Sequence, residues 1–233
     1  MQAQLIRAMA FLAFSFGVTS ALYAVPITYT DRAAFDAAIA ALTNPTGSTL
    51  DFDALPANSL IADGGSVGGL TFNYPVLDSF GVSMQVSSGF DTTSSTNYLG
   101  TNDGGVFLDG DNFSLDFGAV NAIGMYFITG DPMFDGDISL TAGGATASLA
   151  AGAIQQALPD GGNAFFLGIL DDAATFSSAA VDTIGLGAFL YNVDDIVTAK
   201  ANPPVVGVPE PATLALFALG LLGFGMRRRM MLG

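Results

Sequence analysis

Four aspartates near the two ends of the central part of the chain could form a calcium site. They stand in two close pairs, Asp51 with Asp53 and Asp194 with Asp195. Calcium binds six to eight oxygen atoms from carboxylates and carbonyls. The pairs would meet if the strand near residue 50 pairs with the last strand, and without a cation their charges would repel one another. The pattern therefore makes structural calcium a candidate, although we favour the alternative that these aspartates cap strand ends or face water singly.

Further aspartates lie in loops, where turn formation competes with metal binding. Asp-Gly and Asn-Gly are common hairpin-turn sequences, and none of these segments fits the EF-hand spacing with its closing Glu. We therefore interpret the loop aspartates as turn residues. They are Asp103, Asp109, Asp111, Asp116, Asp135, Asp137, Asp171 and Asp172.

A sugar-stacking platform would have to use tyrosine, because the chain has no Trp. The candidates are Tyr98, Tyr126 and Tyr191, with Asn97 and Asn102 as hydrogen-bonding neighbours. The alternative, which we favour, places Tyr126 and Tyr191 in the core or at the rim of a β-sandwich.

Enzymatic activity is not expected. The chain has neither His nor Cys, which excludes Ser-His-Asp and Cys-His catalysis and zinc sites built from those residues. A glycosidase needs two carboxylates at a fixed separation, but among so many aspartates a suitable pair arises by chance. We assign no catalytic residue.

The charge of the central segment restricts its partners. Residues 25–208 contain two basic side chains, Arg32 and Lys200, against 20 Asp, which gives a net charge of −18. Phosphates would be repelled, so nucleic acid is excluded as a partner, and anionic membrane surfaces are disfavoured for the same reason. Divalent cations and neutral polysaccharide remain as partners.

The elements that position these residues are one helix and many strands. An alanine-rich helix is predicted at 31–42, capped by Thr30 or Asp31, with Phe35, Ile39 and Leu42 on one stripe. Short apolar runs separated by Gly, Asp and Asn turns then predict an antiparallel β-sandwich. The predicted strands are 49–52, 70–74, 83–86, 106–108, 114–117, 122–129, 138–142, 145–149, 164–170, 180–186 and 192–198.

The first 24 residues have the pattern of a secretory signal peptide. Arg7 forms a positive n-region, residues 8–18 form a short apolar h-region, and the small residue Ala24 precedes the predicted cleavage point. The sequence therefore predicts a signal-peptide helix at 1–24 and export of the chain from residue 25 onward.

The last 25 residues combine three signals. Pro209, Glu210 and Pro211 precede the apolar run 212–226, and Arg227, Arg228 and Arg229 follow it. As a helix this run would span only ~22 Å, at the short end for a bilayer, and the arginines would hold its end in the cytoplasm.

This order of PEP box, apolar run and basic end resembles the PEP-CTERM sorting signal of Gram-negative bacteria. The resemblance implies recognition by exosortase, a membrane protease. It also implies transient anchoring in the inner membrane by a transmembrane helix at 212–226, followed by delivery to the cell surface or extracellular matrix. The alternative is a permanent membrane anchor.

A second resemblance covers the middle of the chain. The segments YTDRAAFDAAIAAL, STLDFDALP and GGLTFNY resemble the start of a domain common in PEP-CTERM proteins, and FSLDFGAVNAIGMYF with the segment ending YNVDDIVTA resembles its second half. The resemblance implies a jelly-roll-like sandwich similar to carbohydrate-binding modules, in which calcium often ties the first and last strands. Asp53 stands where Glu is usual, and Tyr191-Asn192 departs from the usual approach to the last strand.

These inferences predict one β-sandwich domain at 25–200, a linker at 201–208 and a sorting signal at 209–233. We expect a structural or adhesive role in extracellular polysaccharide. The alternatives are a calcium-stabilised, lectin-like carbohydrate-binding module and a permanently membrane-anchored surface protein.

Overall fold

The computed structural model describes residues 25–185 and 189–202. The predicted signal peptide and its Ala24 cleavage point, most of the linker, and the whole sorting signal lie outside these residues. Among the residues described, no helix has the length and apolar character needed to cross a membrane. The described chain forms two antiparallel sheets that face one another, which confirms the predicted all-β sandwich.

Two helices accompany the strands. Helix α1 spans Arg32–Ala41, and the Asp31 carboxylate caps it by accepting the Ala34 N–H at 2.6 Å. Helix α2 is a short turn at Pro75–Ser79 that begins with a proline at its first position. The sequence predicts α1 to within a residue at each end, but does not predict α2.

The larger sheet contains ten strands around the long last strand, β16. One edge of β16 contacts β10, which is followed by β14. Its other edge contacts β8, β7 and β2 in turn along its length. The strands are β1 Ile27–Tyr29, β2 Thr46–Leu50, β3 Leu60–Ile61, β6 Met84–Ser87, β7 Tyr98–Thr101, β8 Phe107–Leu108, β10 Ala122–Thr129, β13 Ile154–Ala157, β14 Asn163–Leu170 and β16 Leu190–Lys200.

The smaller sheet has six strands in the order β12-β11-β15-β9-β5-β4. They are β4 Gly65–Val67, β5 Leu70–Asn73, β9 Phe113–Val120, β11 Ile138–Ala142, β12 Ala145–Ser148 and β15 Phe176–Thr183. The main core lies between the two sheets and is rich in aromatic side chains, including Phe72, Phe107, Phe127 and Tyr191. This strand order does not establish a jelly roll, so that part of the fold assignment stays a prediction.

Helix α1 packs on the outer face of the larger sheet through Phe35. Gly124 and Gly168 are register partners on β10 and β14, and their lack of side chains leaves a flat floor for the Phe35 ring. A Cβ would lie 3.1 Å from this ring at Gly124 and 2.8 Å at Gly168. Phe166 packs beside Phe35 with ring centroids 5.1 Å apart.

The end of β16 is tied to the segment between α1 and β2. The Asn202 backbone N–H donates to the Thr43 carbonyl at 2.8 Å. The Asn202 side-chain amide donates to the Asn44 carbonyl and to Thr46 Oγ1, both at 3.0 Å. Ordered structure therefore continues to Asn202, two residues into the segment predicted as a linker.

The predicted strands fall close to the observed ones, with three kinds of exception. The strand predicted at 180–186 lies at Phe176–Thr183. Its start was missed because Ser177 and Ser178 interrupt the apolar residues of its first half. The strand predicted at 49–52 ends at Leu50. Five strands, β1, β3, β4, β7 and β13, are not predicted by the sequence.

Candidate functional site

Pairing of β2 with β16 brings the two acidic pairs together, as the calcium hypothesis requires. Leu50 is the register partner of Ile196, so Asp51 emerges beside Asp195. The strand predicted at 49–52 does not reach Asp51 or Asp53, because β2 ends at Leu50 and Phe52 has a φ of 60°. Asp51 precedes a turn in which the Leu55 N–H donates to the Phe52 carbonyl at 3.0 Å, and Asp53 lies within that turn.

The second pair sits at a β-bulge. Along β10, Gly124 pairs with Val197 but Tyr126 pairs with Asp194, so β16 carries an extra residue here. Asp195 has a φ of 48°. Phe52 and Asp195 are thus two non-glycine residues with left-handed backbone in one small region. Each such residue lowers the free energy of unfolding by about 1–3 kcal/mol.

The aspartates of this region organise the loop of residues 92–97, which we call the Thr92–Asn97 loop. Asp53 accepts the backbone N–H groups of Ser95, Thr96 and Asn97 at 2.8–2.9 Å. Asp53 therefore anchors the second half of the loop.

The Asp194 carboxylate accepts hydrogen bonds from the first half of the same loop. Its Oδ2 atom accepts the hydroxyl of Thr92, the hydroxyl of Thr93 at 3.2 Å and the backbone N–H of Ser94 at 3.0 Å. Its Oδ1 atom accepts the backbone N–H of Asp195 at 2.8 Å. Asp194 is fully buried, so these bonds replace water as its hydrogen-bond partners.

Burial controls the protonation of the last-strand pair. It raises the pKa of Asp194 to about 6, helped by the neighbouring Asp195 charge and opposed by the bond from Thr92. Burial also raises the pKa of Asp195, where the charges of Asp51 and Asp53 act in the same direction and Arg32 acts against them. Both carboxyls are therefore easier to protonate than ordinary aspartates.

Asp53 behaves in the opposite way. Partial burial acts to raise its pKa, but the backbone N–H groups of Asn97, Ser95 and Thr96 outweigh burial and lower it. A carboxylate held by three N–H donors is stabilised in its charged form. The site thus combines one readily ionised carboxylate with two that resist ionisation.

The positions of the four aspartates meet only part of what a calcium site requires. The four predicted ligands occupy one region, but within the described chain no group of three or more Asp, Glu, His or Cys side chains is arranged to hold a metal ion. Asp53 and Asp194 already serve as acceptors for the Thr92–Asn97 loop. Calcium at Asp51, Asp53, Asp194 and Asp195 stays a prediction.

The loop aspartates make the local contacts that a turn interpretation predicts. Asp111 accepts the Leu108 N–H at 2.6 Å, and Asp137 accepts the Phe134 N–H at 2.6 Å. Asp171 accepts two N–H groups, from Ala173 and Ala174. Others join segments that are distant in the chain, as in the bond from Asn73 to Asp116 and that from the Gly185 N–H to Asp109.

The tyrosines predicted as a sugar platform do not form one. Tyr98 and Tyr191 are each 1% exposed, and Tyr191 packs between Phe107 and Phe127 in the main core. Tyr126 is half-buried beside Arg32, whose guanidinium lies 5.8 Å from its ring centroid. These positions agree with the core or rim alternative.

Sequence reasoning missed the residues that complete this region. The segment DTTSSTN at 91–97 contributes three hydroxyl and backbone donors to Asp194 and three backbone donors to Asp53. Its run of Ser and Thr was the available signal, but its partners lie 42–102 residues away in the chain. The exposed aromatic near the loop is Phe90, not a tyrosine.

Comparison with known proteins identifies one feature of the chain. Residues 207–229 match the family model of the PEP-CTERM protein-sorting motif. This match confirms the predicted sorting signal, which implies an exosortase as processing partner, export, and a membrane-associated step before the cell surface. The motif covers about a tenth of the chain, and a comparison with curated proteins gave no match.

Proposed function

We propose that this protein is a structural or adhesive component of extracellular polysaccharide at the cell surface. The sorting motif at residues 207–229 carries the proposal, because it directs the preceding domain out of the cytoplasm. The domain in front of it is a strongly acidic β-sandwich, whose charge favours neutral polymers and cations as partners. We further propose that it is cleaved after Ala24 and near Pro209, and that Pro209, Glu210 and Pro211 form the recognition element.

The proposed role is non-catalytic. The chain has no His or Cys to act as a general base or nucleophile near neutral pH. The most perturbed carboxyl, Asp194, is fully buried and bonded to the Thr92–Asn97 loop. A carboxyl in that position supports a structural role, because a catalytic group must reach its substrate.

The proposal is tested by the intact mass and C-terminal peptide map of the protein recovered from its native host. We expect a species that lacks residues 1–24 and ends near Pro209. Additional heterogeneous mass would support attachment to a matrix glycoconjugate. Recovery only of protein that still carries Arg227, Arg228 and Arg229 would refute cleavage and favour the permanently anchored alternative.

A matched variant makes this test specific. Changing Glu210→Gln alters the PEP box without touching the apolar run or the arginines. If the box is the recognition element, this variant accumulates uncleaved in the membrane fraction, whereas Lys200→Gln, outside the motif, is processed normally. Equal processing of both variants would contradict the proposed role of the PEP box.

The second candidate function is a calcium-stabilised, lectin-like module. The convergence of Asp51 with Asp195 beside Asp53 and Asp194 favours it. A site of millimolar affinity, typical of extracellular modules, would stabilise the fold by about 1.4 kcal/mol at a tenfold excess of calcium. The melting temperature would then rise by roughly 3–5 °C relative to EDTA.

The variant Asp195→Asn separates specific calcium binding from general screening of negative charge. If calcium binds at the predicted ligands, this change abolishes the melting shift, and Asp182→Asn on the opposite sheet leaves it intact. An equal shift in both variants, or in magnesium and calcium alike, would assign the effect to screening. An unchanged melting temperature in calcium would remove this candidate.

A further inference from the structure

A cleft opens on the outer face of the larger sheet, where β10 ends and β16 begins. Its volume is about 380 Å³, within the range of small-molecule pockets of roughly 300–1,000 Å³. A shallower depression of about 290 Å³ adjoins it and is lined by Thr92, Ser95 and Thr96 of the Thr92–Asn97 loop. Phe90 and Asp160 line both, so the two form one groove that passes across Phe90.

Phe90 presents an apolar ring in this groove. It is 53% exposed, whereas most phenylalanines of the described chain are buried. Its ring rests against buried Tyr98, with centroids 6.4 Å apart. The next residue, Asp91, is fixed by reciprocal bonds with Asp160, in which each backbone N–H donates to the other's carboxylate at 2.8–3.0 Å. The ring is therefore held in place although it faces solvent.

Asn192 adds an unused hydrogen-bond acceptor to the wall of the cleft. Its side chain is 3% exposed, and its Oδ1 atom finds no donor among the described residues. Asn192 is the register partner of Ile128. By strand alternation both side chains lie on the cleft side of the sheet, opposite Tyr191. A buried acceptor without a partner is costly, and a donor bound in the cleft would remove that cost.

The charge of the groove narrows the ligand class. Asp131 and Asp160 stand at its rim, where they accept the backbone N–H groups of Leu190, Asp91 and Gly162 and retain free lone pairs. Among the described lining residues there is no basic side chain. The groove therefore repels anions and offers acceptors to hydroxyl donors.

We propose that this groove binds a neutral sugar unit of an extracellular polysaccharide. The apolar face of a pyranose ring packs on Phe90, whose ring face carries partial negative charge suited to sugar C–H groups. Sugar hydroxyls donate to Asn192 Oδ1 and to the rim carboxylates. This inference rests on the proposed function and deepens it by naming the site and the ligand class.

The test uses mature protein purified from its host. The probes are the neutral and acidic fractions of the host's own extracellular polysaccharide, separated by anion exchange. Affinity electrophoresis or calorimetry measures binding to each fraction. We expect binding to the neutral fraction and a loss of roughly tenfold or more on Phe90→Ala, because a central aromatic anchor contributes much of the binding energy. Phe80→Ala, which removes a 79% exposed ring outside the groove, is the matched control and leaves binding unchanged.

The variant Asn192→Ala distinguishes ligand binding from a structural role. Since Oδ1 is unpaired, removing the amide should leave the melting temperature unchanged or raise it, while affinity for the neutral fraction falls. Loss of stability without loss of affinity would show that Asn192 is structural and would overturn its assignment. Phe90→Trp should preserve or increase binding.

The outcomes separate the two proposals. Binding to the neutral fraction that Phe90→Ala does not weaken would overturn the groove but leave the polysaccharide role intact. Binding to neither fraction would overturn both. Preference for the acidic fraction would overturn the groove, because its rim carboxylates repel such polymers.

Discussion

Protonation of Asp194 should make this protein more stable at pH 5 than at pH 7. Its pKa is 3.8 in the unfolded chain and about 6 in the folded state, because burial disfavours its charged form. The folded state therefore binds more protons between these values, and the free energy of unfolding falls as the pH rises through this window. The contribution is complete below about pH 3.8 and absent above about pH 6 to 7.

The size of the effect follows from the same two values. The full contribution is about 3 kcal/mol, since each pKa unit corresponds to 1.36 kcal/mol. Between pH 7 and pH 5 roughly half of it is gained. For a domain of this size, that gain raises the melting temperature by roughly 3–5 °C.

The charged groups around Asp194 set the conditions of the test. The raised pKa of Asp195 acts in the same direction, and Arg32 opposes it there. The lowered pKa of Asp53 has the opposite sign, and its stabilisation is lost only as the pH falls below about 4. Burial also raises the pKa of Asp111, which acts in the same direction, so the comparison with Asp194→Asn is needed to isolate Asp194, and EDTA excludes any bound cation.

The assay is thermal unfolding by circular dichroism at pH 5, 6 and 7 in EDTA, for the wild type, Asp194→Asn and the control Asp182→Asn. Asparagine cannot titrate, so Asp194→Asn should lose about 3–5 °C of the pH-dependent difference, while Asp182→Asn keeps it. The variant retains an acceptor for the Thr92–Asn97 loop but loses the bond from the Asp195 N–H. A wild type that becomes less stable on acidification to pH 5, or a variant with an unaltered pH profile, would refute the reasoning.

Three other expectations concern packing, the loop and charge. Gly168→Ala should destabilise by about 1–3 kcal/mol, since its Cβ would crowd Phe35; urea unfolding measures this, and a neutral effect would mean that helix α1 shifts freely. Asp53→Asn should cost about 1–3 kcal/mol and expose the Thr92–Asn97 loop to limited proteolysis, because the amide cannot replace the carboxylate in accepting three N–H groups; resistance equal to that of the wild type would show that the loop holds without this anchor. Arg32→Gln should destabilise by about 1 kcal/mol through loss of its contacts with Tyr126 and Phe166. Asp36→Asn removes only the ion pair with Arg32 and should cost less in urea unfolding; an equal cost for the two variants would assign the effect to the ion pair.

Part of the fold was predictable because its strongest strands carry their own signals. The strands β10 and β11 match their predicted bounds, since each contains several β-forming residues and is followed by a glycine-containing turn sequence. The missed strands β4 and β13 are short and largely exposed or half-buried. Their pairing with a neighbour, not their composition, makes them strands.

The candidate site shows a similar division. Convergence of the two acidic pairs follows from pairing of β2 with β16, which the sequence suggested only as a condition for the site. The use of Asp53 and Asp194 as anchors for the Thr92–Asn97 loop could not be predicted, because it depends on contacts across 42 or more residues. The exposed Phe90 was also missed, since a phenylalanine in isolation predicts a core position.

The position of β16 determines how the domain would respond to mechanical load. Its end at Lys200 is fastened through Asn202 to the segment before β2, and its length is flanked by antiparallel neighbours on both edges. A pull from the sorting-signal side would first strain the Asn202 bonds and then act along β16, so that its ladder hydrogen bonds with β10 and β2 share the force in shear. Forced unfolding depends on the unfolding rate rather than on equilibrium stability. Any load applied from the sorting-signal end would thus meet a long internal strand that resists it in shear.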